Sequence, residues 1–192
     1  LPFTTEDGKR VVKVPTLRGH GTWPWLTTKG LTGTAIPCEG GDFALVVVLQ
    51  EDATSSTQVK PTMFTDVLDA PVTADDVQLP SWKLRQKVLL TDTLKDVGVR
   101  LAFNPTQADF SAMTTQARLF LGFVVHEALI EVNAKGIEAA AATAGGMNVT
   151  SALVDPENLV LDRPFTWALM SVPTRTPLLV GRVNDPTAEL SE

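Results

Sequence analysis

The 192-residue chain has no tyrosine, a single cysteine and only two histidines, and each scarcity excludes a class of protein. With Cys38 alone, no disulfide can form within the chain, so the stapled framework of a small secreted protein is ruled out. His20 and His126 lie far apart, with no G-x-S-x-G string and no short Cys/His spacing, so no nucleophile is paired with a base. The same shortage removes a metal site: the neighbours Asp75 and Asp76 have no third ligand at a useful spacing and read as a solvated turn. Neither G-x-G-x-x-G nor G-x-x-x-x-G-K-[ST] occurs. No enzyme activity, cofactor or metal is therefore expected. Cations are outnumbered, 16 Lys and Arg against 22 Asp and Glu, for a net charge of −6. Phosphate-backbone binding depends on clustered cations, so nucleic acid is not an expected partner. The longest apolar run, FALVVVL at 43–49, is far shorter than the ~20 residues of a membrane helix, so no membrane span is expected. The opening LPFTTEDGK has neither Met nor a charged-then-apolar leader, and it reads as an internal start.

What is present is a β-rich globular composition. Hydrophobic residues make up 44% and charged residues 20%, which suits one domain. Runs of β-branched and aromatic residues bounded by Gly, Pro and Asp predict strands at 10–15, 23–27, 32–36, 44–49, 77–84, 119–132, 165–171 and 178–183. The last two, FTWALMS and PLLVGRV, are separated by the turn-rich VPTRT and predict a hairpin. Helices are expected at 57–68 and 91–97, the second capped by Thr91 or Asp92 and ended by Gly98. The tryptophans at 23, 25, 82 and 167 fall on predicted strands and read as packing residues.

One segment does not fit this pattern. KGIEAAAATAGG at 135–146 follows the long strand LFLGFVVHEALIEVN and has neither a core pattern nor a clear cap. Two readings stay open at this point. In one, 138–144 is an ordinary alanine-rich helix ended by Gly145; in the other, the segment belongs to a long loop with a function of its own.

VVHEALIEVN followed by KGIEAAAATA closely resembles the hinge of the serpin family. Further serpin-like strings occur in order: VPTLRGHGTWPW, ALVVVLQ, LPSWKL, LKDVGVRLAFNPTQADFSAMT, LDRPFTWALM and LLVGRVNDP. The resemblance covers nearly the whole chain but only the C-terminal half of a serpin domain. It implies an α+β, mostly β serpin fold with few helices, residues 1–192 being a partial domain and 136–156 its reactive-centre loop. It also implies a suicide inhibitor, in which a serine protease cuts the loop, is held as an acyl-enzyme, and is displaced as the loop enters the main sheet.

The hinge would be Gly136, Ile137, Glu138, Ala139, Ala140, Ala141, Ala142 and Thr143. In an extended strand, alternate residues face opposite sides, so Ile137, Ala139, Ala141 and Thr143 would share an uncharged face with Glu138 opposite. Counting the family's loop length from Gly136 places the reactive bond between Thr150 and Ser151, with Met147, Asn148, Val149 and Ala152 as protease-contacting neighbours. A small β-branched Thr150 implies an elastase- or subtilisin-like protease with a small pocket, and Met147 or Val149 as the contact would imply a chymotrypsin- or elastase-like one with an apolar pocket. The second implied partner is the N-terminal half of the same domain. His126 aligns with the family's sheet-closing histidine; the plain alternative is a buried strand histidine. Family habit implies an extracellular location. Ile137 departs from the usual small residue, and its stiffness at χ1 would slow insertion. That leaves a second reading, a non-inhibitory relative cleaved as a substrate. The customary ion pair is missing at both ends, with Ala134 and Ser81 in its place.

Overall fold

Seven consecutive apolar residues at 43–49 need cover on two sides, and the fold provides it. The computed structural model describes residues 1–6, 8, 10–28, 30–51, 59–134 and 157–188. Its strands are β1 (Pro2–Thr4), β2 (Val11–Lys13), β3 (Thr16–Thr28), β4 (Leu31–Pro37), β5 (Phe43–Gln50), β6 (Val72–Pro80), β7 (Trp82–Leu89), β8 (Val125–Val132), β9 (Glu157–Val160), β10 (Phe165–Ser171) and β11 (Thr176–Val183). The helices α1 (Thr62–Leu68) and α2 (Thr91–Asp96) and a 3₁₀ turn at Leu101–Phe103 complete the elements. The architecture is mostly β with few helices, as the sequence predicts.

The chain divides into two compact units. The first comprises Leu1–Trp82 and Glu131–Glu189, the second chiefly Lys83–Ile130. The first contains a seven-stranded sheet of order β11-β10-β5-β4-β3-β6-β9. Every neighbouring pair is antiparallel except β6 and β9, which run parallel. On one face, Phe64 and Val67 of α1 pack against Leu31, Ala35, Val46, Val48, Ala168 and Met170. On β5 and β10 the alternate residues Val47, Phe165 and Trp167 are also buried, and Trp82 meets Phe165 edge-on at 5.3 Å. Strands covered on both faces lose the apolar–polar alternation, which is why FALVVVL runs unbroken.

Two glycines are set by close approach. A Cβ on Gly21 would lie 2.6 Å from the Trp23 indole, and one on Gly181 would lie 2.6 Å from that of Trp167. The glycines that weaken the strand signal of TLRGHGTWPW are therefore the floor under a tryptophan. The expected strand at 23–27 extends back to Thr16 for this reason.

Other expectations are corrected. The strand at 77–84 is two strands in different sheets: β6 ends at Pro80, the Ser81 N–H donates to the Pro15 carbonyl, and β7 begins at Trp82. The strand at 119–132 begins only at Val125, and the helix at 57–68 begins at Thr62. The short strands β1 and β9 were not legible. Neither Thr91 nor Asp92 caps α2; the cap position is Leu90, without a side-chain bond, and the Thr91 hydroxyl accepts the Val124 N–H at 3.0 Å instead. Gly98, at φ +106°, ends that helix as expected.

In the second unit β7 and β8 form a two-stranded sheet, with Arg85 and Glu127 ion-paired across it. Large apolar side chains stand in solvent here, among them Met113, Val97, Phe123, Leu101 and Leu129.

Candidate functional site

The site predicted from sequence lies between two flanks. Residues 135–156 fall outside the described residues, so the hinge Gly136–Thr143, the bond Thr150–Ser151 and the contacts Met147, Asn148, Val149 and Ala152 have no structural account here.

The upstream flank is β8. Its neighbour is β7, and among the described residues no strand pairs on its other side. His126 is exposed on β8 in this chain. Near the end of β8, the Ser81 hydroxyl donates to the Val132 carbonyl at 3.0 Å. The position left without its customary lysine is thus used, because a short hydroxyl reaches a backbone acceptor directly. Sequence reasoning missed this bond, since only the fold brings the two residues together.

The downstream flank is β9, which is firmly anchored. Leu159 and Leu161 are buried, and the Leu161 N–H donates to the Gln78 carbonyl at 2.9 Å. The Thr4 N–H reaches the Asp162 carbonyl at 2.7 Å. Arg163 donates through Nε to the Gln50 carbonyl at 3.1 Å and through a terminal nitrogen to Asp162 Oδ1 at 2.9 Å. A cut upstream of Glu157 would leave this strand held by buried leucines and ladder bonds.

Elsewhere the chemistry is sparse. His20 pairs with Asp76 on an exposed strand face, without a nucleophile in the contact. Cys38 is half-buried at the turn after β4, and burial pushes its thiol pKa up, away from reactivity. Among the described residues, no three His, Cys, Asp or Glu side chains come together as a metal site. A cleft of about 390 Å³ lies beside Trp25, Leu49 and Arg163.

A mostly β domain whose strands β8 and β9 end on either side of residues 135–156 defines a class. The model of the serpin family, the serine protease inhibitors, matches residues 1–186, and the chain belongs to that family. The leukocyte elastase inhibitor of Bos taurus is 34% identical over 162 residues, 79% of this chain and 42% of that protein. A serine protease inhibitor of Cyanea capillata is 30% identical over 161 residues, and Iripin-4 of Ixodes ricinus 32% over 182. The former alignment covers 80% of this chain and 42% of the relative, the latter 90% and 45%. Among solved structures, Manduca sexta serpin-12 superposes with a TM-score of 0.79 at 18% identity, covering all of this chain and 51% of that one. The thermophilic serpin tengpin gives 0.75 at 24%, over 96% and 49%. These last two likenesses concern the fold. The chain thus spans less than half the length of the curated relatives it matches, as a C-terminal portion of the serpin domain. Names such as leukocyte elastase inhibitor lend the extracellular expectation no support.

Proposed function

We propose that the protein to which this chain belongs inhibits a serine protease by offering residues 136–156 as bait. The observation that carries the reading is the pair of flanks: β8 has one side without a strand partner among the described residues, and β9 is held by β6 and by buried leucines. Relatives that bear inhibitor names support it. The protease's serine oxygen attacks the Thr150 carbonyl carbon and the amide bond to Ser151 breaks. The amine of Ser151 leaves with a proton from the protease's general acid, and Thr150 is held as an ester. Chain from Gly136 onward then adds as a strand to the main sheet, with Ile137, Ala139, Ala141 and Thr143 inward. Each residue that joins a ladder brings hydrogen bonds worth about 1 kcal/mol net apiece, and a dozen residues supply a large driving force that is held back kinetically until the cut. The N-terminal half of the domain supplies the rest of that sheet, and the target has a small or apolar pocket. The protein acts on proteases as an inhibitor and not as an enzyme.

Ile137 favours a second outcome, because a stiff β-branched residue at the start of insertion gives hydrolysis of the ester more time. Incubating the full-length protein with elastase, subtilisin and chymotrypsin separates the two. Inhibition predicts an adduct that survives SDS and a sharp rise in the melting temperature of the cleaved protein. Clean cleavage with no adduct for any of the three would sink it. Ile137→Thr should raise the share of adduct over cleaved chain.

A further inference from the structure

β7 and β8 form one two-stranded ladder, and its last rung is made by a side chain. Beyond one end of the pair the Leu90 N–H donates to the Val124 carbonyl at 2.8 Å, so the strands run antiparallel and the start of β7 lies beside the end of β8. There Trp82 opens β7 and Val132 closes β8, and the next donor in line belongs to Ser81. Its backbone N–H is taken by the Pro15 carbonyl at 2.8 Å. The hydroxyl supplies the donor instead and reaches the Val132 carbonyl at 3.0 Å, in a part-buried bond between residues 51 positions apart. A second bond lies just past it: Asn133 Nδ2 donates to Glu131 Oε1 at 3.0 Å and ties the residue after β8 back to the strand.

Strand alternation turns this anchor into a direction. In an antiparallel ladder the N–H and C=O of one residue point to the same side, and those of the next residue to the other. With the Val132 carbonyl held toward Ser81, the backbone groups of Glu131 point away from β7, the side on which the loop is proposed to add. We propose that Ser81 is a positioning residue for that addition: its hydroxyl fixes the outward backbone groups at the end of β8, and with them the register in which chain from Gly136 first pairs. The proposal rests on the loop entering beside β8, and it concerns the step after the ester forms, so Ser81 takes no part in the attack itself. Register matters because a slip of one residue turns every side chain to the opposite face. Glu138 would then point inward in place of Ile137 and Ala139. A slipped start must be undone, and hydrolysis of the ester proceeds meanwhile.

The test uses the full-length protein with pancreatic elastase and reads the rate at which intact protein is consumed and the ratio of SDS-stable adduct to cleaved chain. Ser81→Ala should leave the rate unchanged and lower the ratio about fivefold, the factor that one net hydrogen bond sets between competing rates. Ser81→Thr keeps the hydroxyl and should stay near the wild-type ratio. Val67→Ala, a truncation in the core beneath α1, should lower the melting temperature at least as much as Ser81→Ala and leave the ratio unchanged. An unchanged ratio for Ser81→Ala, or an equal fall with Ser81→Thr or Val67→Ala, would overturn the proposal. So would a rise, which would mean that the bond restrains the strand instead of guiding its partner. Should the wild type give cleaved chain and no adduct, the inhibitory reading fails and amide exchange reads the register. Residues 137–143 should then gain protection after the cut more slowly in Ser81→Ala than in wild type, and equal rates would refute the role of Ser81. A wild type left intact by elastase, or cut with no gain in protection, overturns both.

Discussion

The two units of this chain are opposites in burial. Every buried hydrophobic side chain among the described residues lies in the first unit, including Phe3, Val46, Leu79, Leu161, Phe165 and Met170. In the second, Thr91 is the one buried residue among those described, while Val97 and Met113 stand about three-quarters exposed. Yet β8 in the second unit is as apolar in sequence as many buried strands. A large exposed apolar surface marks a place where another element belongs. The first unit is built to hold itself together, and the second is built against something. On the reading proposed above, that something is the N-terminal half of the domain.

Core truncation should expose this difference most strongly. Phe165→Ala removes a fully buried ring from β10 of the large sheet and should cost about 3–5 kcal/mol, enough to abolish cooperative urea unfolding of the chain. Leu129→Ala, 55% exposed on β8, should shift the midpoint by less than about 0.5 kcal/mol in this chain. In the full-length protein the same Leu129→Ala should cost about 2 kcal/mol or more if that face is covered; an equally small effect there would contradict the contrast. Next in size is Gly21→Ala. The added methyl would press on the Trp23 ring, and a loss of about 1–3 kcal/mol is expected in thermal unfolding. The double variant with Trp23→Leu should recover part of it, which a purely conformational effect at glycine would not.

Smaller effects test the upstream flank. Ser81→Ala removes the hydroxyl bond to the Val132 carbonyl and should cost about 1 kcal/mol, with faster amide exchange confined to the end of β8. The smallest effect is that of Cys38. Burial raises its thiol pKa, so the folded chain holds the proton more tightly than the unfolded one. The corresponding stability is complete below the unfolded thiol pKa and is lost as pH rises through the higher folded value. Alkylation at pH 8–9 should accordingly run slower in the folded chain than in urea, and equal rates would refute the shift.

Much of the first unit was legible from local pattern. FALVVVL and FTWALMS read as strands because a segment covered on both sides is apolar at every position, and the final hairpin followed from the turn residues between its strands. Misreadings occurred where the deciding atoms are distant. Gly19 and Gly21 weaken a strand signal that the Trp23 ring restores, and no window of sequence shows that ring lying over them. LPSWKL reads as one strand, but Ser81 hands the chain from one sheet to another, its N–H going to Pro15 and its hydroxyl to Val132. β9 spans only Glu157–Val160, too short to show alternation, although it is the strand that anchors the downstream flank. The candidate loop was proposed from resemblance, and the described residues end on either side of it.

By itself, the sequence determined the family and the β-rich class, and it supplied the proposal of a loop at 136–156. Those properties are carried by side-chain size, charge and periodicity, which are written locally. The tertiary structure decided which apolar strands are buried and which stand open, that Ser81 takes over a backbone acceptor near the upstream flank, and that His20 and Asp76 meet across β3 and β6. These depend on pairings between residues tens of positions apart, and cross-strand register leaves no trace in any local stretch of sequence.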